Sequence, residues 1–161
     1  FAGVHVMPDP GKSVFTVCNV CKMAGTGELI GTAILLLGSP LGPGASLFIG
    51  SLTGIFGVAF WMFGLSLEKG GPRPMGTVAL FLAIVFVIYA ILAAKVPRMM
   101  EFASLCWLGF VGATASWLGA WGWSSIAGKI GGWVWVCLGI WGIKLFTATL
   151  LSGGINVMLA G

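Results

Sequence analysis

The chain has 161 residues, of which 58% are hydrophobic and only 7% are charged. Soluble domains carry about 25% charged residues, so a chain this poor in charge has too few polar groups to cover a water-facing surface. The composition excludes a soluble domain and indicates an integral membrane protein. The formal net charge of +4 comes from scattered residues that form no basic run, so we expect no nucleic-acid partner.

Residues 1–22 form the first segment, which we interpret as an extramembrane tail. It contains Cys18 and Cys21 in the stretch VCNVCK. A CxxC pair binds zinc when a second Cys or His pair completes the site, and it attaches haem when His follows directly. Here Lys22 follows, and His5 is the sole histidine of the sequence. We therefore expect no metal and no other cofactor. The pair is then two ordinary thiols or a simple disulfide, with a membrane-anchored redox protein as a minor alternative.

Apolar segments occupy most of the remaining chain, and they predict an all-α fold, a polytopic transmembrane helix bundle over residues 23–151. A helix of about 20 apolar residues crosses roughly 30 Å of hydrocarbon, and it satisfies its own backbone groups there. We predict about five spans, near 23–38, 45–67, 75–94, 102–123 and 130–151. The stretch GSPLGPG at 38–44 is a Pro/Gly turn that ends the first span. Residues 152–161 form a C-terminal tail too short to span.

The linkers between the predicted spans indicate an orientation. Basic residues are more frequent on the side of the N-terminal tail, which the positive-inside rule assigns to the cytoplasm. The residues on that side are Lys12, Lys22, Lys69, Arg73 and Lys129, against Lys95 and Arg98 on the other. Four tryptophans at 121, 123, 133 and 135 flank the last linker, where an aromatic belt at the lipid headgroups is expected.

Small residues recur at a spacing of four, which brings the backbones of membrane helices close together. The pairs are Gly27 with Gly31, Gly50 with Gly54, Gly109 with Ala113, and Gly128 with Gly132. Since the chain contains 27 glycines, some of these pairs are expected by chance.

Polar side chains inside the predicted spans are the candidate functional residues, because a charge at a helix centre costs about 2.5–3.5 kcal/mol on insertion scales. Lys144 either snorkels to the membrane surface or faces a polar cavity, where it attracts an anion. Glu28, near the start of the first predicted span, is either a helix-end carboxylate or a pathway residue. Tyr89 is interfacial, packed against neighbours, or part of a pore lining. The sequence has no nucleotide loop, no metal-binding His pair and no acid–base pair at useful spacing, so we expect no enzymatic activity.

Several patches of the sequence resemble the acetate and succinate permease family. The last predicted span is similar to the family's Lys-x-Gly-Gly-Trp stretch and its closing Ala-x-Leu-Leu, at Lys129, Gly131, Gly132, Trp133, Ala148, Leu150 and Leu151. The stretch FGLSLEKGGPRPMGTVALF resembles the family's Gly-x-x-Glu helix end and following turn, with Gly64, Glu68 and Gly76 at the matching positions. TAILLL at 32–37 resembles the end of the family's first helix. VCNVCKMAG stands before it, where the family has Asn-Pro-Ala-Pro-Leu-Gly.

The resemblance implies oligomers, commonly hexamers, in which each protomer forms a narrow path for small monocarboxylates. Such a path needs small side chains, a few hydroxyls and a positive bias, which Thr32, Thr53 and Lys144 would supply. We therefore predict a channel or transporter for a short monocarboxylate such as acetate, with Glu28 and Tyr89 as further path residues.

The alternative function is a non-catalytic structural or accessory subunit of a larger membrane complex, energy-transducing or photosynthetic. The scarcity of polar groups in the spans and the abundance of tryptophan favour it. The expected partners are the lipid bilayer, like or unlike subunits, and a small solute.

Overall fold

The chain is all-α in the computed structural model, which describes residues 10–39, 43–69, 72–96 and 99–151. Side chains are described at 17–39, 43–44, 46–68, 72–96, 99–142 and 144. Five helices follow one another along the chain: α1 Pro10–Gly38, α2 Pro43–Lys69, α3 Pro72–Ala94, α4 Met100–Ala120 and α5 Ser125–Leu151. The described residues contain no strand.

Four of these helices are long and apolar enough to cross a membrane, at Val17–Gly38, Ser46–Glu68, Pro72–Ala94 and Met100–Ala120. The prediction of an all-α fold with several transmembrane helices is therefore confirmed. The predicted span at 130–151 coincides with most of α5, whose 27 residues extend over about 40 Å at 1.5 Å per residue. Since the side chains of α5 are described only in part, the fifth span stays a prediction.

Helix α1 is longer than the sequence predicted. It begins at Pro10, and its candidate span begins at Val17, so residues that we interpreted as tail are helical. Proline is tolerated in a first helical turn because its missing N–H would have no partner within the helix there. The helix ends at Gly38, and Ser39 has a φ of 43°, in agreement with the predicted turn. The predicted tails at 1–9 and 152–161 lie outside the described residues.

The helices divide into two compact units. The first unit contains α1, α2 and the beginning of α3, up to Val78. The second unit contains the rest of α3, from Ala79, with α4 and α5.

A glycine seam on α2, formed by Gly50, Gly54, Gly57 and Gly64, brings α2 against α1 in the first unit. A Cβ placed on Gly57 would lie 2.8 Å from Leu29 Cγ, and one on Gly64 would lie 2.9 Å from the carbonyl oxygen of Cys18. The α1 residues that contact the seam are Cys18, Lys22, Gly25, Leu29, Thr32, Leu35 and Leu36. Their alternating spacing of about four and three residues is typical of helices that cross at about 20°.

A similar antiparallel contact joins α4 and α5 in the second unit. A Cβ on Gly131 would lie 2.6 Å from Ser116 Oγ, and that hydroxyl oxygen accepts a hydrogen bond from the Trp135 indole N–H at 3.0 Å. Helix α3 joins through Phe86, whose ring lies against Gly109 and 6.1 Å from the Trp135 ring centroid. Leu82 on α3 and Cys106 and Ala113 on α4 are among the buried side chains of this unit.

Three of the four small-residue pairs contribute to these contacts. Gly50 and Gly54 belong to the glycine seam, Gly109 lies against Phe86, and Gly128 lies against Gly119. The exception is the pair on α1. A Cβ on Gly27 would have no atom within 4 Å, and one on Gly31 would have only the Thr53 methyl, at 3.9 Å.

Candidate functional site

Glu28 lies in the middle of its membrane span. It follows Val17 by eleven residues and precedes Gly38 by ten, so about 15 Å of helix separates it from either end. The side chain is half-buried, and among the described residues its carboxylate has neither a hydrogen bond nor an ion pair. The sequence placed Glu28 near a helix start because residues before Met23 were assigned to a tail. The structure therefore removes the helix-end interpretation and leaves an ionisable group in the middle of a helix that is long and apolar enough to span a membrane.

The hydroxyls of Thr32 and Thr53 are both bonded to backbone carbonyls. Thr32 Oγ1 donates to the Glu28 carbonyl at 2.9 Å and lies 3.3 Å from the Gly50 carbonyl oxygen on α2. Thr53 Oγ1 donates to the Ile49 carbonyl at 2.9 Å. Both residues lie at the α1–α2 contact, close to Glu28 along the chain, but their hydroxyl protons are already used.

Tyr89 and Lys144 belong to the second unit. Tyr89 is half-buried on α3, five residues before the end of its span at Ala94, at a depth typical of interfacial tyrosines. Lys144 is exposed on α5, seven residues before Leu151, and it has no ion pair within the described part of the chain. The predicted path residues therefore fall into two sets: Glu28, Thr32 and Thr53 in the first unit, and these two in the second.

Two polar pairs between α1 and α2 were not anticipated from the sequence. Lys22 Nζ and Glu68 Oε2 form an ion pair at 2.5 Å, at the end of the α2 span. One turn further along α1, the Trp61 indole N–H donates to Thr26 Oγ1 at 3.1 Å. The sequence feature that indicates the ion pair is the opposite charge of two residues at the outer ends of consecutive antiparallel helices. These pairs fix the rotation of α1 against α2 near the membrane surface.

Thr114 on α4 is a further polar residue that the sequence did not single out. Its Oγ1 is buried and has no hydrogen-bond partner among the described residues. An unpaired buried hydroxyl costs about 1–3 kcal/mol, whereas the Thr32 and Thr53 hydroxyls avoid that cost through their backbone bonds. The Thr114 hydroxyl proton is therefore unbonded among the described residues, at a position closed to solvent.

The cysteines of VCNVCK are free thiols on one face of α1. Cys18 is buried and Cys21 is half-buried, and Cys106 and Cys137 are free as well. Of the two interpretations for the pair, the structure shows thiols and not a disulfide. The described residues contain no group of three or more His, Cys, Asp or Glu side chains that could hold a metal ion.

These features define the class of the protein: it is an integral membrane protein with several transmembrane helices in contact with lipid. Comparison with protein-family models, with curated proteins and with solved structures gives no match.

Proposed function

We propose that the protein is a non-enzymatic conduit, a channel or transporter, for a small solute, and that the solute is a short monocarboxylate such as acetate. The observation that carries the proposal is the position of Glu28, in the middle of a candidate membrane span, with a carboxyl group that has no partner among the described residues. Ionisable residues at this depth are expensive to insert and usually mark a solute or ion pathway.

The surroundings of Glu28 support this role. A scaffold helix would insert more favourably with an apolar residue at the same place, since charged side chains cost about 2.5–3.5 kcal/mol at a helix centre. When protonated, the carboxyl group donates a hydrogen bond that a carboxylate solute can accept. The preference for an anion comes from the sequence resemblance and from Lys144, which lies in the predicted fifth span and has no ion pair among the described residues.

The second candidate is an accessory subunit of a larger membrane complex, and the threonine hydroxyls favour it. Thr32 and Thr53 donate their hydroxyl protons to backbone carbonyls, so neither threonine offers a free donor to a solute that passes the α1–α2 contact. The glycine seam closes the same contact tightly. A structural subunit needs such dry, close helix contacts and needs no path.

Uptake of labelled acetate into proteoliposomes tests the proposal. Protein-free vesicles of the same lipid are the baseline, because neutral acetic acid crosses lipid unaided. We expect uptake above this baseline, and a reduction of about tenfold for Glu28→Leu and for Lys144→Ala, as expected for the loss of one charge-assisted hydrogen bond. Lys95→Gln, an exposed charge beyond the end of α3, is the matched control and should transport like the wild type.

The outcomes separate the two candidates. Uptake no higher than in protein-free vesicles, with the protein shown to be folded by circular dichroism, contradicts the conduit and supports the accessory subunit. Unchanged uptake in Glu28→Leu would leave the conduit supported but would show that Glu28 is not part of the path.

A further inference from the structure

We propose that the turn between α4 and α5 binds the headgroups of anionic phospholipids through Trp121, Trp123 and Lys129. This surface belongs to the second unit, and its role holds whether the protein is a conduit or an accessory subunit. Three properties point to it: a rigid turn, unpaired donors on exposed aromatic rings, and a location at the end of a membrane span.

The turn is held in one conformation by its backbone. The Trp123 N–H donates to the Leu118 carbonyl at 3.0 Å and the Gly122 N–H donates to the Gly119 carbonyl at 3.1 Å. Gly122 has a φ of 78°, a conformation that glycine adopts without strain. This is the Schellman arrangement at a helix C-terminus, which commonly includes an apolar contact to the last helical turn. Here that contact is between Trp123 and Trp117, whose ring centroids are 5.1 Å apart.

The following helix is fixed as well. Ser124 caps α5, since its Oγ accepts a hydrogen bond from the Ala127 N–H at 3.1 Å. A serine at this position stabilises a helix start by about 1 kcal/mol. The position of Lys129, in the second turn of α5, is therefore set relative to the tryptophans.

The two tryptophans present free donors to the outside. Trp121 is 40% exposed and Trp123 is 63% exposed, and neither indole N–H has a partner among the described residues. Two other indole groups are paired, since the Trp61 N–H bonds Thr26 and the Trp135 N–H bonds Ser116. An amphipathic ring with a free N–H fits the boundary between hydrocarbon and headgroup, where phosphate and ester oxygens accept hydrogen bonds.

The location of the turn identifies the ligand. The α4 span ends at Ala120, one residue before Trp121, so the turn lies at the level of the headgroups. Lys129 is exposed nearby on α5 and adds a positive charge. The predicted orientation places this turn on the cytoplasmic side, where anionic lipids are concentrated. An anionic phosphodiester therefore satisfies both the indole donors and the ammonium group.

Fluorescence quenching of the whole protein in bilayers tests the position of the rings. In mixed phosphatidylglycerol and phosphatidylcholine, a nitroxide attached to the headgroup should quench the wild type more than the double variant Trp121→Phe/Trp123→Phe. A nitroxide in the middle of the acyl chain should remove the same amount of tryptophan fluorescence from the wild type and from the double variant. Trp107→Phe is the matched control, because Trp107 is 46% exposed on α4 within the span, and its loss should reduce only the mid-chain quenching. Equal headgroup quenching of the wild type and the double variant would overturn the proposal.

Binding of added lipid to the detergent-solubilised protein tests the charge preference. Thermal unfolding during titration should show tighter binding of phosphatidylglycerol than of phosphatidylcholine. Lys129→Gln should weaken the apparent affinity for phosphatidylglycerol about fivefold, the factor that corresponds to about 1 kcal/mol for one basic residue at an anionic surface. Lys95→Gln should leave it unchanged. Equal affinity for the two lipids, or no effect of Lys129→Gln, would refute an anionic headgroup site.

Discussion

Gly25 and Gly27 stand two residues apart on α1, and their surroundings are opposite. A Cβ on Gly25 would lie 2.6 Å from the Gly57 carbonyl oxygen and 2.7 Å from Trp61 Cδ1, whereas one on Gly27 would have no atom within 4 Å. The first glycine therefore permits a backbone contact between helices, and the second only lowers the helix propensity of its own segment. The spacing of small residues in the sequence predicted a helix contact at Gly27 and Gly31 and did not select Gly25.

Alanine substitutions should separate the two glycines. Gly25→Ala should lower the free energy of unfolding by about 1–3 kcal/mol, because the helices must move apart to admit the methyl group. Gly27→Ala should be neutral or stabilising by up to about 1 kcal/mol, the difference in helix propensity between glycine and alanine. Reversible unfolding in mixed micelles measures both. Equal effects of the two substitutions would show that Gly25 is not at a helix contact.

At the scale of the element, the α1–α2 hairpin shows why the extent of α1 was underestimated. A helix can extend beyond the apolar segment that lies in the membrane, because its backbone hydrogen bonds do not require apolar side chains. Residues such as Lys22 end the apolar run but continue the helix, and the stem of Lys22 packs over Gly64. The longer helix puts Lys22 opposite Glu68 and moves Glu28 to the middle of the span.

The Lys22–Glu68 pair should contribute a small, measurable coupling energy. The two side chains are 21% and 45% exposed, so solvent screens their attraction, and about 0.2–1 kcal/mol is expected. A double-mutant cycle with Lys22→Gln, Glu68→Gln and the double variant isolates this energy from the packing of the lysine stem. Unfolding free energies that are strictly additive would show that the ion pair does not form in the membrane-embedded protein.

At the scale of the whole molecule, alternating spans determine on which side each linker lies. The α4 span separates the linker after α3 from the linker before α5, so Lys95 and Lys129 are expected on opposite sides of the membrane. The excess of basic residues predicts that Lys129 lies on the cytoplasmic side.

Cysteine labelling tests this topology. In a variant whose four native cysteines are replaced by serine or alanine, Lys95→Cys should react with an impermeant maleimide in intact cells. Lys129→Cys should react only after permeabilisation. If both results were reversed, the orientation would be opposite to the predicted one and the number of spans would be unchanged. If both cysteines were labelled from the same side, α4 would not span the membrane.

The sequence by itself determined the class of the protein, its helical character and the end of α1 at the Pro/Gly turn. These are local properties: hydrophobicity over about 20 residues requires a satisfied backbone in lipid, and Pro/Gly clusters such as that at 38–44 stop a helix. Only the tertiary structure decided which glycines join helices, which threonine hydroxyls remain free, and which charges pair. Those outcomes depend on the register between helices. Because the chain contains 27 glycines, many different alignments of two neighbouring helices would bring small residues together at the same spacing. For this reason Gly25, Thr114 and the Lys22–Glu68 pair appeared only in the structure.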